Sequence, residues 1–72
     1  MKFREKRILI PLVDSLRLTR NLGSHEEDKD KKELWNRLAF LIEIQILKVA
    51  RGDYENLEKY QAEVEELVEK LK

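Results

Sequence analysis

Apolar positions along this chain recur at spacings of three and four. The pattern breaks at Gly23 and Gly52, the only glycines, which divides the chain into segments of about 20, 27 and 19 residues. In the last segment Leu57, Tyr60, Val64, Leu67 and Leu71 form one stripe, and glutamates and lysines cover the remaining positions. That spacing predicts a helix over 54–71. Asp53 is its expected N-cap, with Glu55 and Glu58 near the start and Lys70 and Lys72 near the end, signs that suit the helix dipole.

The middle segment predicts a helix over 25–51. Ser24 and Glu27 fit the capping-box pattern in which each side chain bonds the other's backbone N–H. From Leu34 onward apolar residues occupy nearly every side of the helix. Trp35, Leu38, Ile42, Ile46 and Val49 share one stripe, Leu34, Leu41 and Ile44 lie beside it, and Phe40 and Leu47 lie beyond. A helix apolar over so much of its circumference must be covered from more than one direction. The expected interface residues are therefore Trp35, Leu38, Phe40, Ile42, Ile44, Ile46 and Leu47.

In the first segment Leu9, Leu12, Val13 and Leu16 suit one helical face. Pro11 lacks an N–H and clashes with the carbonyl of Arg7, so a helix is expected to begin or kink there and to run over 11–22. Residues 1–10 then form a basic arm or a kinked first turn. The fold expected is all-α: a single domain over 1–72, a three-helix antiparallel arrangement with a long central helix, and a dimer.

Composition reinforces the expectation of a partner. A chain of 72 residues buries only roughly 60% of its unfolded surface. It has no cysteine and so no disulfide, which leaves helix packing or oligomerisation to supply stability. Fifteen basic groups balance fifteen acidic ones, but unevenly. Residues 1–22 carry a net +4, with six basic groups against two acids, and residues 53–72 a net −4, with seven acids against three lysines. Such ends attract each other in the fold, meet partners of opposite sign, or stay solvated. Charged residues make up 42% of the chain, a profile common in proteins from hot environments. The apolar runs are too short and interrupted for a signal peptide or a bilayer span, so a soluble, cytoplasmic protein without membrane contact is expected.

Candidate chemistry centres on "RNLGSHEE", residues 20–27, which holds the only histidine. One reading is a helical corner, with Gly23 left-handed after the first helix and Ser24 capping the second. The other is that Arg20 to His25, with Asn21 beside the arginine, resembles the R-x4-6-H motif of HEPN ribonucleases. That resemblance implies a metal-independent nuclease in which Arg20 holds the scissile phosphate and His25 exchanges protons near neutral pH. The acids Glu26, Glu27, Asp28 and Asp30 alongside would repel a phosphate backbone. One histidine and no cysteine give no ordinary zinc site, there is no glycine-rich phosphate loop, and the hydroxyls have no triad spacing. No cofactor, no metal and no enzymatic activity are expected.

Residues 35–71, "WNRLAFLIEIQILKVARGDYENLEKYQAEVEELVEKL", resemble the helical domain of the GINS subunits of archaeal and eukaryotic replication machinery. The matching positions are Lys48, Val49 and Ala50, then Asn56, Leu57 and Glu63. The β-domain of those subunits has no counterpart here. The resemblance implies a helical protein-interaction module attached to DNA replication. The turn "ARGDYENLEKY" also resembles one turn of a tetratricopeptide repeat, although a stable array needs at least ~3 repeats. Finally Lys2, Arg4, Lys6, Arg7, Arg17 and Arg20 are candidates for nucleic-acid phosphates, against which stands the zero net charge. The expected partner is a protein or a second copy of the chain, with nucleic acid as an alternative.

Overall fold

The structure, a computed structural model, describes residues 3–72, with side chains from Arg7 onward. It is all-helical: α1 (Phe3–His25), α2 (Lys29–Ala50) and α3 (Leu57–Leu71), with no strand among the described residues. Helices α1 and α3 each pack on α2, and their backbones do not approach one another. The result is a slab whose Cα extents are 40 × 21 × 16 Å. Its core is Leu38, Leu41 and Ile42 of α2 with Leu67 of α3. Leu12 and Leu16 reach it from α1, and Tyr60, Val64 and Leu71 from α3.

Helix α1 is longer than the 11–22 expected. It begins at Phe3 and passes through Pro11, so Phe3–Ile10, expected as a basic arm or a kinked first turn, is helix continuous with the rest of α1. Met1 and Lys2, also assigned to the arm, lie outside the described residues. Proline removes a single i to i−4 hydrogen bond, the one to Arg7, while apolar residues on both sides of it still face α2. Leu9 before it is buried, and Leu12 and Leu16 after it pack against the core. Burial of that stripe outweighs the local cost, because most helical stability in a protein comes from packing an apolar face.

The corner also differs. Gly23 is helical rather than left-handed, and α1 continues to His25. A Cβ at Gly23 would come within 3.0 Å of the Trp35 Cβ, so the glycine serves close approach of α1 to α2. Ser24 does not cap α2; its hydroxyl donates to the carbonyl of Asn21 at 2.8 Å. The N-cap is Asp28, whose Oδ1 accepts from the N–H groups of Asp30 (2.9 Å) and Lys31 (3.3 Å). A carboxylate at this position satisfies two exposed donors and also faces the positive end of the dipole.

Gly52 does end α2, as its position predicts. With φ 74° it occupies the left-handed region, its N–H reaches the Val49 carbonyl at 2.9 Å, and the Asp53 N–H reaches Lys48 at 2.8 Å. These paired bonds are a Schellman motif. Asp53 caps this short turn and not α3: Oδ1 accepts from the Glu55 N–H at 3.0 Å and Oδ2 from Lys48 Nζ at 3.0 Å. Helix α3 begins only at Leu57 because Asn56 is left-handed, φ 64°, a conformation asparagine tolerates better than most residues.

The Lys48 ammonium, then the Glu55 N–H, hold the Asp53 carboxyl below its ordinary pKa. A depressed folded pKa gives stability that is present above the unfolded value and lost as pH falls through the folded one. Asp53→Asn should therefore weaken the protein at neutral pH, and the difference from wild type should shrink below about pH 4, which urea titrations at both pH values would check.

Candidate functional site

One apolar surface lies on the back of α2, beside other exposed apolar side chains such as Ile10 and Leu18 on α1. Leu38, Leu41, Ile42, Gln45 and Val49 are buried on one side of this helix. On the opposite side Phe40 and Leu47 are each 56% exposed. They stand seven residues apart, two turns and about 10 Å along the axis, on one stripe. Ile44 is half-buried at the edge of that stripe. A lone exposed leucine needs no explanation, but a phenylalanine and a leucine aligned on one helix form a patch of the kind that marks contact sites.

Ion pairs border the stripe on both flanks. Arg20 of α1 pairs with Glu43 of α2. Arg37 of α2 lies 3.7 Å from Glu63 of α3, where Glu66 and Lys70 line the same shallow recess. Arg20 and Glu43 are substantially exposed, as are Arg37 and Glu63, so each pair contributes at most about 1 kcal/mol to the isolated chain.

The expected interface residues separate into three groups. Leu38 and Ile42 are buried in the subunit's own core and are not part of the exposed surface. Trp35 and Ile46 are half-buried and pack against that core; Trp35 also contacts Gly23, and its Nε1 donates to Glu26 at 3.4 Å. Phe40 and Leu47, with Ile44, remain available. The reason is geometric: α1 and α3 cover two adjacent sides of α2 and neither reaches the third.

Among the described side chains the basic candidates do not converge. Lys2 lies outside the described residues, as do the side chains of Arg4 and Lys6. Arg7 is exposed at one end of α1, ten residues and about 15 Å from Arg17. Arg17 is exposed, while Arg20 is engaged by Glu43. Arg20 and His25 both lie in α1, about 140° apart around the helix. The shallow recess lined by Arg20, Gly23, Ser24 and Trp35 does not include His25. The two proposed nuclease groups are thus not brought to one cleft within the chain. Among the described residues no group of three or more His, Cys, Asp or Glu side chains could hold a metal ion, and no helix is long and apolar enough to cross a membrane.

Two features escape the pattern of the sequence. One is the set of charges beside the stripe, since Glu63 and Glu66 read only as part of a solvated face. The other is a groove between α1 and α3, lined by Ile8, Leu12, Val49, Leu57 and Gln61. At its base Gln45 is buried and donates through Nε2 to Gln61 Oε1 at 3.3 Å. A glutamine within an apolar run is the one signal for it. Comparison of the chain with protein-family models, with curated proteins and with solved structures finds no match.

Proposed function

We propose that this chain is a non-enzymatic, small helical protein-interaction module. In this reading its three helices form an antiparallel arrangement that presents the back of α2 to another protein surface. The observation that carries it is the exposed pair Phe40 and Leu47, aligned on one stripe and bordered by charges. Interfaces of this kind place apolar anchors, aromatic ones above all, inside a polar rim. Two exposed side chains of this size cost little to keep in a lone chain and contribute much when a partner removes water from them.

The test uses the intact chain on a column. Proteins from native extract retained by wild type should be lost when Phe40 and Leu47 are both replaced by glutamate, with the helical content unchanged by circular dichroism. An unchanged set of retained proteins would refute the reading. Within it, the GINS resemblance names replication proteins as the class of partner to try first.

A further inference from the structure

The geometry points to a second copy of this chain as an occupant of the α2 stripe, joined about a two-fold axis that runs along α2, so that α1 of each subunit lies over α3 of the other. The inference rests on the interaction-module reading and adds the partner and its orientation. It starts from an imbalance. The α1 end of the chain is net positive and the α3 end net negative, yet within the subunit these helices stand apart on α2. Among the described side chains, Arg17 of α1 and Glu66 of α3 are exposed charges of opposite sign.

The register follows from contacts already described. Ile8 and Leu57 line one groove with Val49, so they stand at the same height along α2. Nine residues on from each lie Arg17 and Glu66. Both are exposed. Arg17 is three residues from Arg20, which reaches Glu43, and Glu66 borders the recess beside Arg37. Both therefore stand on the flanks of the Phe40–Leu47 stripe. When two slabs meet back to back, two orientations keep their helices aligned. A two-fold axis across the helices stacks α1 on α1 and α3 on α3, bringing like charges together. A two-fold axis along them stacks α1 on the other subunit's α3 and sets Arg17 opposite Glu66, twice per dimer. Complementary charge selects the second orientation, since opposed like charges at an interface are strongly disfavoured. In that orientation each residue on the central stripe meets its own counterpart, Phe40 on Phe40 and Leu47 on Leu47. The broad face, 40 × 21 Å, is of the size a standard interface covers on each partner, about 800 Å².

The experiment uses the full chain, whose lack of cysteine makes introduced thiols unambiguous. Wild type should have the mass of a dimer in solution. Phe40→Cys alone should form a disulfide-linked dimer on mild oxidation, because the axis places position 40 against itself. Arg17→Glu should weaken the dimer about tenfold, Glu66→Arg similarly, and the double variant should recover most of the affinity. Both positions are exposed, and circular dichroism would confirm that each variant is folded. A chain that stays monomeric into the millimolar range overturns the proposal. So does a dimer that fails to cross-link through the thiol introduced at position 40 or shows no rescue in the charge-swapped double variant. A monomer whose retention of extract proteins still depends on Phe40 and Leu47 removes the second copy and leaves the interaction module standing. Loss of both removes both.

Discussion

Leu41→Ala should cost about 2–5 kcal/mol, whereas Phe40→Ala, one residue earlier, should cost less than about 1 kcal/mol in the monomer. Leu41 is 3% exposed and belongs to the core that α2 shares with α1 and α3. Removing its side chain sacrifices transfer energy and leaves a void that flanking helices can only partly close. Phe40 points the other way and is 56% exposed, so truncation removes little buried area. A domain of this size has only a few kilocalories of net stability, and the Leu41 variant should be largely unfolded at a temperature where the Phe40 variant is native. Urea unfolding followed by circular dichroism, at protein concentrations low enough to keep the chain monomeric, gives both numbers. Equal losses at the two positions would mean that α2 is buried on both sides.

Pro11→Ala should raise stability by about 1–3 kcal/mol. Pro11 sits in the interior of α1, well past its first turn, where it cannot donate to the Arg7 carbonyl and its ring crowds that carbonyl. Alanine restores the donor and is the best helix former. Part of the gain is offset because proline also restricts the unfolded chain, which is why the full proline penalty is not expected. The urea midpoint should rise with an unchanged slope. No change, or a loss, would mean that the helix before Pro11 contributes nothing to the folded state. This outcome bears on α1 as a whole, because Ile8 and Leu9 make their contacts with α2 only if the helix is continuous across the proline.

Pro11 also shows why part of the fold is hidden in the sequence. The stripes that define α2 and α3 are long and regular, so their existence and the break at Gly52 follow from spacing alone. At Pro11 and Gly23 the local signals for a helix start and a helix end are both strong, and both are overruled by packing against α2. Nothing in the residues near Gly23 announces Trp35 as its neighbour; that contact joins positions twelve apart. The cap of α2 is misread for a related reason. Ser24 and Asp28 are each good N-caps, and only the extension of α1 to His25 decides for Asp28. The candidate surface is half legible. An excess of apolar circumference on α2 is visible, but which residues stay outside depends on the angle at which α1 and α3 flank it. Leu38 and Ile42 read as interface residues, and they are buried in the subunit's own core. The flanking charges cannot be read at all, because they come from all three helices.

The amide pair of Gln45 and Gln61 has a consequence for how α3 is seated. The core of the seam between α2 and α3 is otherwise oily, with the Arg37–Glu63 pair at its exposed edge, and oil alone tolerates sliding. A slip of α3 by four residues would set Leu57 or Glu65 against Gln45 in place of Gln61. Gln45 Oε1 already lacks a hydrogen-bond partner in this structure. Losing the Gln61 bond as well would strand both ends of the amide away from water, which a seam of leucines alone would never penalise. One polar couple thus acts as a detent, holding the last helix at a single notch along the middle one.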